Sequence, residues 1–210
     1  MSGYAKGIVA LLCAWFAVAV TASALGVFQG NVNGFGAAVG AAALVPILVF
    51  FVWFAASPRL RTFLLSLNPR TLTAVQAWRI LGFVFVLLEA HQLLPARFAL
   101  PAGYGDMTIG MTATFVAWKL AVPRWRGAFI FWQALGIADL MIAVGTGITA
   151  PMMNPQGVSM TPMTALPLSL IPTFFVPLLL MLHVISIAQA RRWQRVEGAS
   201  RGPVAVGRVA

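Results

Sequence analysis

Four ionisable residues lie inside apolar runs where a charge finds no water: Arg79, Glu89, Asp139 and His183. Such a group in hydrocarbon is costly unless it is paired or hydrated, which makes each one a functional candidate. Arg79, Gly82, Val86 and Glu89 recur at helical spacing, and so do Trp132, Gly136, Asp139 and Ala143. Each set therefore lines one helix face, and each contains a glycine that lets another helix approach closely. The chemistry expected of them is charge compensation inside a bundle, with Asp139 reaching Arg79 or His183. Beyond a tie between helices, the same residues describe a proton or ion path running Arg79, His183, Asp139, Glu89.

Other polar or soft residues suggest different chemistry. The two histidines, His91 and His183, invite a haem held by both rings. At about 1.5 Å per residue they fall near 24 Å and 10 Å from the basic side, roughly 14 Å apart in depth, which does not suit one iron. Met152, Met153, Met160 and Met163 cluster in one segment, and thioethers are soft ligands suited to Cu(I); methionine also serves as adaptable apolar filler. Copper and haem are thus the cofactors to be weighed. Glu89, His91, Gln92 and Tyr104, with the Met-rich segment, outline a pocket on the opposite, non-basic side. Asp106, after PAGYG and before an apolar run, suits the N-cap of a helix. No P-loop, GxGxxG, HExxH, GxSxG or CxxC occurs, so nothing in the spacing calls for an enzyme.

The elements that must position these residues follow from composition. Hydrophobic residues make up 60% of the 210 and charged residues 9%, and the mean hydropathy is +0.91. A soluble domain of this size cannot bury that much apolar surface, so lipid is the solvent expected for most of the chain. The expected fold is all-α, a polytopic integral membrane protein with six transmembrane helices. The spans fall at about 7–28, 35–56, 75–95, 107–122, 128–149 and 167–189, each near the ~20 residues a bilayer requires. They form one domain over 1–190, followed by a basic tail at 191–210.

Charge sets the orientation. Lys6, Arg59, Arg61, Arg70, Lys119, Arg124, Arg126, Arg191, Arg192, Arg195, Arg201 and Arg208 all fall on one side of a six-span bundle, against Arg97 alone on the other. The positive-inside rule then makes both termini cytoplasmic and the membrane a cell inner (plasma) membrane. A net charge of +10 distributed this way points to an anionic leaflet and away from nucleic acid. Ala22-Ser23-Ala24 resembles a signal cleavage site, but the preceding run is long and has only Lys6 before it, so a retained helix is the reading preferred. Cys13 is the one cysteine and lies in the first span, which rules out an intramolecular disulfide.

Local signals complete the picture. Basic residues beside Phe63, Leu64 and Leu67 predict that part of 61–78 lies flat in the interface. The segment 146–167 is an uncharged loop expected to pack back over the helices. Pro167, Pro172 and Pro177 break the last span, as in many transporters. Gly36 and Gly40 form a GxxxG, a close contact within the bundle or between protomers. The leading functional expectation is movement of a small solute or ion through the polar path. The alternative is a non-catalytic subunit or assembly factor of a larger membrane complex, with a homo-oligomer or a membrane partner besides the lipid bilayer.

Overall fold

The structure is a computed structural model that describes residues 3–29 and 36–200, the side chains of 194–200 excepted. Its regular elements are all helical among the described residues: α1 (Gly3–Ala24), α2 (Ala37–Ala56), α3 (Pro58–Ser66), α4 (Pro69–Ala74), a 3-10 helix (Val75–Gly82), α5 (Phe83–Ala90), α6 (Ala96–Lys119), α7 (Arg126–Met153) and α8 (Val176–Ser200). Short 3-10 turns lie at Pro123–Trp125 and Thr161–Thr164, and a π-turn at Ile171–Phe175 leads into α8. Five helical stretches are long and apolar enough to cross a membrane: Gly3–Ala24, Ala37–Ala56, Pro69–Ala90, Pro123–Met153 and Ile171–Trp193.

The remaining long helix, α6, has 24 residues, about 36 Å of helix. It is less apolar than the others because it holds the centre of the bundle, packed on the 3-10 helix, α4, α5 and α7. This corrects the fourth span. Asp106 does not cap a helix beginning at 107; α6 starts at Ala96, with Pro95 before it and Pro101 inside. Ala102 and Gly103 of the PAGYG stretch, and Gly110 after it, are buried helix surface. Tertiary packing outweighs their weak intrinsic preference.

The third span also begins earlier than expected. Ser57 caps α3 by accepting from the Leu60 amide at 3.2 Å. Asn68 caps α4 by accepting from the Arg70 amide at 2.9 Å. The segment expected to lie flat is therefore α3 alone, and from Pro69 the chain already belongs to the rod Pro69–Ala90. Arg61 reaches back to donate to the carbonyls of Phe54 and Ala55 at the end of α2, where carbonyls lack intrahelical partners.

One end of the bundle gathers the basic loops. The Arg59 guanidinium lies 4.5 Å from the centre of the Tyr4 ring, and Tyr4 meets Phe63 edge-on at 5.3 Å. Gln189 of α8 donates to the carbonyls of Leu64 and Leu67, and Arg126 of α7 donates to Ala190. The α8 helix continues to Ser200, so the first ten residues of the basic tail are helical, while 201–210 lie outside the described residues.

The last span differs from a simple kinked helix. Pro167 precedes it, Pro172 sits in the π-turn, and Pro177 is in the first turn of α8. A proline lacks the N–H that an α-helix needs at these positions, and the π-turn is how the chain absorbs that loss.

Candidate functional site

The 3-10 helix sets the geometry of the site. Runs of more than about four residues in this form are uncommon, and this one extends over eight. At three residues per turn, Gln76, Arg79 and Gly82 eclipse one another, and all three are buried. The longer rise, about 2.0 Å per residue, together with the start at Pro69, places Arg79 about 17 Å along its rod. Asp139 stands about 20 Å along α7. The two therefore meet at similar depth, where span ends drawn from hydropathy put them about 10 Å apart.

Four helical elements each supply one member. Arg79 Nε donates to Asp106 Oδ1 of α6 at 2.6 Å. Its Nη2 pairs with Asp139 Oδ2 of α7. Its Nη1 faces both the Gly136 carbonyl and His183 Nε2 of α8, each at 3.3 Å. The Arg79 side chain is 1% exposed, and those of Asp106 and Asp139 are 17% and 14% exposed. A planar guanidinium with several fixed donors is the cation suited to such a junction. One cation faces two carboxylates, so with all three ionised the cluster carries one net negative charge.

Glycines make the room. A Cβ at Gly105 would run into the Asp139 carboxylate, one at Gly82 into Asp106, and one at Gly136 into the His183 ring. Gly110 lies so close to the backbone of Arg79 and Ile80 that a side chain there would meet main chain.

Beyond His183 the hydrogen bonds run in one direction. Thr73 Oγ1 donates to the Pro69 carbonyl at 2.8 Å, so it accepts from Gln133 Nε2 at 3.0 Å. Gln133 Oε1 is thereby the acceptor facing His183 Nδ1 at 2.5 Å. Nδ1 then carries the hydrogen, and Nε2 offers its lone pair to Arg79, which has only donors. The chain Arg79, His183, Gln133, Thr73, Pro69 thus links the carboxylates to the start of α4. Apolar groups close the bundle on either side: Phe85, Phe98, Met160 and Met163 toward the turn between α5 and α6, and Ala113, Val116, Phe129 and Trp132 toward the turn between α6 and α7.

Sequence reasoning missed Asp106, Gln133 and Thr73. The signal for Asp106 was the run of small residues Ala99, Ala102, Gly103, Gly110 and Ala113, whose helical spacing passes straight through it. Glu89 does not join the cluster. It is partly exposed, and no ion pair engages it among the described residues. Glu89 stands about 16 Å farther along the rod than Arg79, near the end of α5, which carries it past the level of the cluster.

The remaining candidates are dispersed. His91 and Gln92 are exposed at the end of α5, and Tyr104 is exposed on the side of α6. Both ring nitrogens of His183 are occupied, which leaves neither free for a haem iron. Met152 and Met153 are exposed in the last turn of α7, whereas Met160 and Met163 are buried with Phe85 and Phe98, so the four thioethers do not share one surface. Gly40 makes no close helix contact, since nothing lies within 4 Å of a Cβ built on it, and Gly36 and Gly40 both front a cavity of about 240 Å³. His91, Gln92 and Tyr104 do not line that cavity, but Asp106 does.

No curated protein and no solved structure matches the chain. One family does, over a stretch that contains Arg79, Asp106, Asp139, His183 and the cavity and leaves α1 outside. By that match over residues 34–191, the chain belongs to the family described as Domain of unknown function (DUF8737).

Proposed function

We propose that this is a multi-pass inner-membrane protein that moves, or helps to move, a small solute or ion through the polar cluster at the centre of its bundle. The observation that carries the reading is the pairing of one guanidinium with two carboxylates, Asp106 and Asp139, joined through His183 and Gln133 to the start of α4. In a low-dielectric interior a net charge is unfavourable, and a proton or small cation is its natural complement. Binding and release of that complement is a step that transport can use. The direct test is flux in proteoliposomes with Asp139→Asn beside the parent. Loss of proton or ion flux in the variant is expected; unchanged flux, or no flux in the parent, removes the reading.

The topology belongs to the same proposal: one membrane domain over 1–190 with six spans, α6 being the fourth, and both termini and the tail 191–210 cytoplasmic. Short turns join α6 to α5 and α7, which supports reading it as a span antiparallel to both. The basic loops gathered at one end agree with a positive-inside arrangement. In a Cys13→Ala background, single cysteines at Ser57 and Ser159 are expected to label from opposite sides of the membrane; labelling from the same side would reject it.

A second reading, a subunit or assembly factor of a larger complex, draws on α1. That helix buries only Ala19 and Ser23 of its 22 residues, which leaves a face for another protein or for lipid. Co-purification of a stoichiometric partner from native membranes would decide for it.

A further inference from the structure

The cavity fronted by α2 is more than a packing defect. It lies between α2, α5, α6, α7 and the π-turn, and its volume is about 240 Å³, a little under the ~300 Å³ at which drug-sized sites begin. Glycine and alanine keep the α2 wall low at Gly36, Ala37, Gly40 and Ala43. Phe85 and Phe98 line it, packed edge to face with centroids 5.4 Å apart. Among the described residues, every one that lines it is apolar or glycine except Asp106.

We infer that this cavity binds a small organic cation with an apolar body, its charge set against Asp106. The inference rests on the transport reading and names the substrate class of the same site. Three observations select a cation. Asp106 spends Oδ1 on Arg79, and its Oδ2 accepts no hydrogen bond among the described residues, so the carboxylate has capacity left toward the cavity. The cluster behind it has two carboxylates for one guanidinium, so an added positive charge balances it and an added negative charge does not. Two phenylalanine rings line the cavity, and the face of an aromatic ring attracts a weakly hydrated cation. The apolar walls select the rest of the ligand: a strongly hydrated inorganic ion would lose its water there without replacement, whereas an alkyl or aryl body gains by leaving water. A cation seated at Asp106 also competes with Arg79 for the same carboxylate, which couples occupancy of the cavity to the buried chain through His183.

The test is binding rather than flux. The full chain in nanodiscs of neutral lipid is dialysed against radiolabelled phenyltrimethylammonium, with empty nanodiscs as the blank and tert-butylbenzene, its uncharged isostere, as competitor. Saturable binding of one cation per chain is expected, with little competition from the isostere. Asp106→Asn is expected to weaken it by about tenfold or more, the loss of a facing charge in an apolar site. Gly40→Leu adds side chain to the α2 wall of the cavity where a Cβ meets no other atom within 4 Å, so it is expected to fold and to abolish binding. Absence of saturable binding in the parent overturns the inference, as does equal competition by the isostere or binding that survives both substitutions. If Asp106→Asn does not fold, Gly40→Leu and the isostere decide. Binding with no flux leaves this inference standing and removes the transport reading; flux with no binding does the reverse.

Discussion

The Asp139 carboxylate lies against the bare backbone of Gly105, in the space a side chain would fill. The two residues come from adjacent helices, α7 and α6, and the contact lets Asp139 reach Arg79 while α6 stays close enough to present Asp106 to the same guanidinium. Gly105→Ala is therefore expected to push the carboxylate off Arg79 and to destabilise the fold by about 1–3 kcal/mol, the usual cost of overfilling a packed site. Gly127, with nothing within 4 Å of a built Cβ, is the control, and its alanine variant is expected to stay within about 0.5 kcal/mol of the parent. Thermal unfolding in detergent, followed by size-exclusion chromatography, reads both. Equal midpoints for the two variants would show that the contact carries no weight.

Arg79 holds two carboxylates, a carbonyl and an imidazole at once, so its removal differs from the loss of one ion pair. Arg79→Ala leaves two partly buried acids without their cation and is expected to cost about 3–5 kcal/mol or to prevent folding. Arg79→Lys keeps the charge but loses the planar fork, and it is expected to fall between parent and alanine. The triple change Arg79→Leu, Asp106→Asn, Asp139→Asn removes every charge together and is expected to recover monodisperse protein where Arg79→Ala does not. Folding yield by fluorescence-detected size exclusion makes the comparison. A triple variant no better than Arg79→Ala would mean that shape, not charge, governs this junction.

The direction of the hydrogen bonds beyond Arg79 makes a spectroscopic claim. With His91→Asn leaving His183 as the lone histidine, nitrogen-15 NMR is expected to show the tautomer with hydrogen on Nδ1 and a lone pair on Nε2. Gln133→Leu removes the acceptor for that hydrogen and leaves Thr73 without its donor. It is expected to shift the Nδ1 resonance and to lower stability by about 1–3 kcal/mol, the cost of orphaned buried polar groups. Hydrogen on Nε2 in the parent would reverse the assigned chain.

How much of this was legible in the residues depends on what each signal needed. That Arg79, Asp139 and His183 share one region followed from the cost of ionisable groups in apolar runs, a local property of the sequence. The same stripes placed Gly82 and Gly136 against their neighbours. Glu89 was misplaced because periodicity reports a shared face and not a shared level: it stands about 16 Å beyond Arg79 along the rod, and the extra rise of a 3-10 helix that nothing in VQAWRILG announces adds to that distance. Asp106 was misplaced because PAGYGD has the composition of a turn, and only burial against four neighbouring elements keeps it helical.

The sequence by itself determined the all-helical class of this protein and helices apolar enough to cross a membrane, because in lipid an apolar run of about 20 residues satisfies its own backbone as a helix. It also determined which groups had to find partners, since the chain holds only four acidic residues and two histidines. Which partner each one found was left to the tertiary structure. Glu89 and Asp106 are equally rare acids in similar apolar surroundings, yet only Asp106 reaches Arg79. The difference lies in the level each residue reaches along its helix and in glycines on facing helices, quantities set by how helices pack rather than by the order of residues along any one of them.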